Sequence, residues 1–422
     1  MLLFVVSSKK NERAILKTIA LFDDSIGGHR DAFMQLFIKA CLENNVRVVC
    51  FYPKTEPLAT WVHEHCKEHQ NRVHFVRIDT NDYQHVHIGR WQSFRDTLSI
   101  WKSLGTLMKN TERDLNINID LVFFNWIDSY MTALLPGFLV DLVFPFKWSG
   151  LYFHPRLFRM EPEFLNKKVN FRDLDSIFKA KKCVAVTIHD EGILKGYEGR
   201  IGKKVLLFPE IADDTPPNPQ QLLAYKIKSA AKGRTVVGII GLEPHKGPIS
   251  LIRLVKQADP QKYFFAFTGV YDEEHLQYLS AQERQEFTHF MNHLPENCLW
   301  QTGALQEGME YNSVFCSFDI IYIMYRNFYS SSNRLTKAAI FHRLVLGNNY
   351  GCVGDDIPRY QLGETADEAN IEEQYQKLET LRNKIQSGNL PYDQWKIYSE
   401  KHSTNRLKEK FEELLNLVDI QA

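Results

Sequence analysis

TVVGIIGLEPHKG, residues 235–247, is the stretch on which the reading of the whole chain turns. Its β-branched run (Thr235, Val236, Val237, Ile239, Ile240) predicts a buried parallel strand, broken at Gly241 by a short polar loop carrying His245 and Lys246. After Gly247 and Pro248, the residues Ile249, Ile252, Leu254 and Val255 recur at helical spacing, so Lys246 and Gly247 stand where a helix begins. A strand, a glycine turn with a lysine, and a helix N-terminus suit a phosphate-bearing ligand. Backbone donors without intrahelical partners converge there, and glycine permits close approach. The same pattern also reads as an ordinary βα turn with a solvated lysine.

Downstream, strand-like runs alternate with helical ones: Tyr263 to Thr268, Leu299 to Gln301 before Gly303, Asp319 to Met324, and Arg343 to Leu346. Upstream the alternation repeats, with strands expected at Thr18 to Phe22, Val46 to Tyr52, Val73 to Ile78, Ile119 to Phe124, Trp148 to Phe153, Cys183 to Ile188 and Lys204 to Phe208. The proline-rich run DDTPPNPQQ after Ala212 reads as a linker. The fold expected is α/β, with two Rossmann-like doubly wound parallel-sheet domains facing a central cleft. The N-terminal domain would span 1–215, with a charged terminal helix at about 392–422 packing back on it, and the C-terminal domain would span 230–391.

The chain has 422 residues, 44% of them hydrophobic, which is enough for two ordinary cores. Basic and acidic residues are equal at 51 each, which argues against a protein built to coat nucleic acid. Seven scattered cysteines without a C-x-x-C predict reduced thiols and a cytoplasmic setting. MLLFVVSSKK lacks the basic region and cleavage site of a signal peptide. Met131 to Phe146 is too short to span a bilayer and is expected to form a core helix, its aromatic end FPFKW leaving room for peripheral contact with a membrane surface.

Taken in order, several motifs resemble the GT-B glycosyltransferases, and within them family 4. The Gly27-Gly28 loop follows the first strand; WSGLYFHP ends at His154; FKAKKCVAVTIHDEG and LFPEIAD precede the linker; GLEPHKG resembles the loop that holds a donor diphosphate, with Lys246 on its lysine. DIIYIMYRNFYSSSNRLTKAAIF resembles the strand, loop and helix that grip nucleotide and sugar. The resemblance implies a metal-independent, retaining transfer of a sugar from a nucleotide-sugar donor to an unidentified glycan, lipid-linked, protein or small-molecule acceptor, with no cofactor beyond the donor. It also implies the residues involved. His154, Lys246 and Arg326 are the catalytic candidates; Gly241, Lys246, Gly303, Ser330, Ser331, Ser332, Asn333 and Lys337 are expected on the donor; and Gly27, Gly28, His29 and His189 are expected on the acceptor side.

Two departures stand out. The arginine of the family's diphosphate loop is Leu242 here, and Arg326 is expected to replace its charge; the family's two glutamates fall on Tyr329 and Lys337. A lysine has only donors where the second glutamate accepts hydrogen bonds from a ribose. The loss of that acidic pair keeps open a non-catalytic scaffold or partner protein, and a nucleotide-sugar epimerase is the rival from another enzyme class. Asp23 and Asp24 would serve as a base if the transfer inverted. His65, Cys66 and His69 sit at helical spacing but lack a fourth ligand, and Asp173-Leu174-Asp175 reads as a helix start, so no metal is expected.

Overall fold

The computed structural model describes residues 16–26, 29–80 and 90–420. The chain divides into two compact units. The first takes the chain up to Leu151, Val169–Val186 and the chain from Lys408; the second takes Tyr152–Lys168 and Thr187–Leu407.

Seven strands form one sheet: β1 (Thr18–Phe22), β2 (Arg47–Tyr52), β3 (Val73–Arg77), β4 (Leu121–Phe124), β5 (Trp148–Leu151), β6 (Cys183–Ile188) and β7 (Val205–Leu207), in the order β3-β2-β1-β4-β5-β6-β7. β1 pairs in parallel with β2 and with β4, and it is buried along its whole length, as an apolar run in a sheet covered on both faces should be. The last helix, Thr404–Ile420, places Phe411 against Phe37 and Phe123, with ring centroids 5.4 and 5.2 Å apart.

The second unit holds a six-stranded sheet of β8 (Thr235–Ile240), β9 (Tyr263–Gly269), β10 (Cys298–Thr302), β11 (Ile320–Ile323), β12 (Leu344–Asn348) and β13 (Gly363–Ala366), in the order β10-β9-β8-β11-β12-β13. β8 pairs in parallel with β9 and β11. The two parallel sheets with crossover helices are those expected. β13 was not foreseen, because GETA carries too little apolar character to signal a strand, and only its last residue is fully buried.

Other expectations are corrected. Met131 to Phe146 is not a core helix: proline at 136 and again at 145 confines helix to Gly137–Val143, and Phe138 and Leu142 are 62% and 76% exposed. Strand β5 ends at Leu151 rather than Phe153. The charged terminal pattern is two helices, Tyr392–Lys401 and Thr404–Ile420, interrupted at His402. His65 and His69 do not share a helix. Helix Thr55–His65 stops at Cys66, and the His65 ring stacks on Trp61 at 4.8 Å. Asp173-Leu174-Asp175 leads into a 3₁₀ turn, Leu174–Lys179, in which Asp175 is buried. Among the described residues no helix is long and apolar enough to cross a membrane.

Candidate functional site

In an open parallel sheet, ligands settle outside the carboxyl ends of the two strands where the winding reverses. In the second unit those strands are β8 and β11: the chain runs outward through β9 and β10, returns to β11, and continues through β12 and β13. Gly241 follows β8 with φ +80°, and a Cβ there would lie 2.4 Å from Lys246 Nζ. Gly247 has φ +84°, and its Cβ would meet the Met324 carbonyl oxygen at 2.2 Å. Gly241 therefore needs glycine for its backbone, and Gly247 for backbone and for space, since the atom it would meet belongs to the main chain. Between them Pro244–Lys246 makes one 3₁₀ turn, and helix Pro248–Gln257 begins immediately after Gly247.

The turn folds Lys246 back over Gly241, with Nζ 3.0 Å from Glu243 Oε1. Burial, and then the neighbouring charge of Arg334, bring the ammonium down to about 8 against the pull of Glu243. Glu243 is raised by burial but lowered further by Lys246, and its Oε2 is buried without a hydrogen-bond partner.

The opposite wall is the chain leaving β11. Ser332 caps helix Asn333–Ile340, its side chain accepting from the Arg334 amide at 3.4 Å, and it lies 3.2 Å from the Tyr325 hydroxyl. Arg334 was not foreseen as a site residue. Its side chain is buried, one guanidinium nitrogen donates to the Ile240 carbonyl, Nη1 has no partner, and the group lies 5.8 Å over the Tyr325 ring. The guanidinium beside Lys246 is thus Arg334, not Arg326. Arg326 is committed elsewhere: its guanidinium pairs with Glu283 at 2.6 Å while its amide donates to the His245 carbonyl at 2.8 Å. A cation in the first helical turn opposes the helix dipole and the donors around it. That misfit was the signal available in the sequence, since an arginine there is favoured only if an anion joins it.

The serines extend the wall. The Ser330 hydroxyl is 3.0 Å from His154 Nδ1, so those two candidates are brought together. Ser331 donates to Glu210 Oε2 at 2.5 Å, Thr336 donates to the Glu210 carbonyl at 2.7 Å, and the Glu210 amide donates to His402 Nδ1 at 2.9 Å. Burial, then the charges of Lys401 and His189, bring His402 down to about 3, which keeps its Nδ1 an acceptor. Glu210 and His402, neither foreseen, thereby fasten the loop that presents Ser330 to Asn333.

Of the remaining candidates His189 adjoins this cluster through Glu210, and among the described residues the others form no hydrogen bond or ion pair with Lys246 or Arg334. Gly303 follows β10, two strands from β8, and its amide donates to the Gly269 carbonyl at 3.0 Å. Lys337 is only 2% exposed; it donates to Asn312 Oδ1, lies 3.6 Å from Glu307 Oε2, and stands 4.5 Å over the Tyr311 ring. His189 is buried with Nδ1 3.2 Å from the Phe208 carbonyl oxygen and Nε2 3.6 Å from Glu210 Oε2. Gly27 and Gly28 lie outside the described residues, and His29 begins helix His29–Glu43 of the first unit. In that unit the carboxyl edge of β1 carries Asp23, which pairs with Arg30. Burial raises the Asp23 carboxyl to about 6 despite that charge, and the Arg30 guanidinium lies 4.5 Å over Trp126. Among the described residues no three His, Cys, Asp or Glu side chains gather as metal ligands would.

No protein-family model matches the chain, and no curated protein sequence matches it. Solved structures do. Sucrose-phosphate synthase from Thermosynechococcus elongatus superposes with a TM-score of 0.65 at 14% identity, over 96% of this chain and 100% of that one. Anabaena Alr3699/HepE in complex with UDP and glucose gives 0.61 at 13% identity, over 95% and 99%. WaaG, a glycosyltransferase involved in lipopolysaccharide biosynthesis, gives 0.56 at 10% identity, over 96% and 100%. The likeness is one of architecture: the chain has the GT-B glycosyltransferase fold, with two parallel α/β sheets.

Proposed function

We propose that the protein transfers a sugar from a nucleoside-diphosphate sugar to an acceptor, with the donor diphosphate at the carboxyl edge of β8 and β11. The observation that carries the reading is the pairing of Lys246 with Arg334 over Gly241. A buried guanidinium and a half-buried ammonium face a single carboxylate, and one guanidinium nitrogen is left without a partner. Burying such charge is costly unless a counter-ion completes it. HepE, on the same fold, is known in complex with UDP and with UDP-glucose, which agrees with a diphosphate as that counter-ion.

Charge accumulates on the leaving diphosphate as the glycosidic bond lengthens, and donors fixed in advance lower the barrier most. Lys246 supplies a point charge, Arg334 a planar pair of donors, and the first turn of Asn333–Ile340 its amides. Glu243 holds the lysine over Gly241 before the donor arrives. His154, tied to Ser330, orients a sugar hydroxyl. Retention of configuration is part of the reading through the family resemblance alone.

Thermal shift with UDP-, GDP-, ADP- and CMP-sugars tests it. At a hundredfold excess over Kd the true donor adds about 2.7 kcal/mol to stability, and Lys246→Ala removes that gain. A chain stabilised by none of them is a scaffold that has kept the fold without the chemistry.

A further inference from the structure

A cavity of about 460 Å³ opens in the second unit at the last residue of helix Asn333–Ile340. It lies between helix Leu222–Ala231, helix Met309–Cys316 and the turn Phe341-His342-Arg343 that leads into β12. Arg334 stands in the first turn of that eight-residue helix while Ile340, its last residue, lines the cavity, a separation of about 9 Å along the axis at 1.5 Å per residue. The occupant is therefore not the anion assigned above.

The walls are mainly apolar, with Pro217, Pro219, Ala224, Ile340 and Phe341 among them. Four cationic or titratable side chains reach the cavity, and they are not equivalent. Lys228 is neutralised by Asp319 at 2.8 Å. The His342 ring is stacked on Trp395 at 5.8 Å and edges Tyr392 at 5.0 Å. Arg343 makes no ion pair among the described residues, and its Nε is buried without a hydrogen-bond partner. Its charge acts on the Cys316 thiol, also in the wall, which burial raises and Arg343 lowers. The amide of Asn218 donates to the Ser313 hydroxyl at 2.8 Å, closing the linker over one side.

An apolar pocket of drug-like volume with one half-buried guanidinium, bonded to the Cys316 thiol and facing no carboxylate among the described residues, selects an apolar tail and a single planar anionic head. We propose that this cavity binds an apolar monocarboxylate, its carboxylate on Arg343 and its chain between Pro217, Ala224 and Phe341. A ligand of this class is neither donor nor sugar, so the site is separate from the proposed transfer reaction and stands or falls without it.

The experiment is calorimetric titration of the full chain with decanoate and, in parallel, decanol. Decanoate is expected to bind at one site with Kd below about 1 mM, and Arg343→Met to weaken it at least about tenfold, the loss of one charge-assisted hydrogen bond. Decanol, which offers no charge, is expected to bind wild type and variant alike. No decanoate binding, or equal binding to both proteins, overturns the assignment. A readout on wild type alone covers a variant that misfolds. Hydrogen exchange with decanoate present is expected to slow at 313–317 and 340–344, and protection confined to other segments overturns the assignment equally.

Discussion

Replacing Arg334 by methionine is expected to leave the stability of the second unit within about 1 kcal/mol of wild type and, at once, to leave it unable to hold a diphosphate. Arg334 is 8% exposed, bonded to the Ile240 carbonyl, short of a partner at Nη1, and close enough to Lys246 to depress it. Burial works against its charge, but Tyr325, Tyr311 and Glu243 prevail and hold the group above its ordinary range. It also stands in a first helical turn, where a cation is unfavourable by about 0.3–1 kcal/mol. Removing the charge relieves the desolvation and the repulsion of Lys246; against that stand about 1.5–3 kcal/mol for the lost carbonyl bond and the lost attraction of Glu243 and the two tyrosines. Methionine retains most of the side-chain volume and packs on Tyr325 as a thioether can. The two sides come near balance, so the transition of a unit of this size moves by no more than roughly 2–4 °C. The cost falls on the ligand. Two charge-assisted bonds to a diphosphate, at about 1.5 kcal/mol each, correspond to about a hundredfold loss of affinity. Differential scanning calorimetry and titration with inorganic pyrophosphate read both quantities on the same samples. A lower transition temperature with unchanged pyrophosphate affinity would show Arg334 to be a structural residue and refute the reasoning.

Three further outcomes are expected. Lys246→Ala should lower single-turnover transfer from the donor found by thermal shift by about 10²–10³-fold, the usual loss for one donor on a developing charge; an unaltered rate would remove the lysine from the reaction. Because Lys246 titrates near 8, it is a cation below that pH and neutral above it, so pyrophosphate affinity measured from pH 6.5 to 9.5 should fall above pH 8 in wild type. That step should be missing in Lys246→Met, and identical profiles would dismiss it. Burial works to raise Glu283, but its bonds to Arg326 and Ser280 prevail and hold it at about 2. A carboxylate depressed in the folded state stabilises above its unfolded value near 4.5 and loses that contribution as pH falls through 2. Arg326→Ala should therefore be less stable than wild type at pH 6, converge with it only below about pH 2, and bind pyrophosphate normally; weakened binding at pH 7 would return Arg326 to the donor site.

The sheets were legible because they are local statements. A run such as TVVGII or YFFAFT is β-branched or aromatic at every position but one, Gly238 or Ala266, and is too apolar to be solvated on either face. The turn at Lys246 was legible for the same reason, since glycine, lysine and helix start fall within seven residues. What was not legible depends on partners far along the chain. Arg334 reaches the Ile240 carbonyl across 94 positions, Ser331 finds Glu210 across 121, and Glu210 finds His402 across 192. No spacing rule connects such residues, and the register of two sheets decides them. The helix expected over Met131 to Phe146 is cut short for a different cause: its two prolines bound the segment more strongly than its apolar side chains extend it.

Lys337 shows how the same helix can have changed its chemistry without losing its place. It stands one helical turn after Arg334, buried like it, yet its charge is met from within the protein. Asn312 accepts its proton, Glu307 and Asp213 attract it, and burial alone pulls its pKa down. Arg334 and Lys246, by contrast, share one carboxylate, so the positive charge without an internal counterpart is concentrated at the carboxyl edge of β8. An acidic side chain at 337 would offer acceptors to a ribose; the lysine offers a donor already turned to Asn312 and Glu307. On the proposed reading, the part of the donor that this unit holds most firmly is its diphosphate, and the nucleoside is recognised by groups other than a carboxylate at 337. Lys337→Glu then becomes a direct test. It should bring a second acid beside Glu307 and Asp213, destabilise the unit through like-charge repulsion, and leave pyrophosphate affinity within about threefold of wild type, because the charge it reverses is not the charge that faces the phosphates.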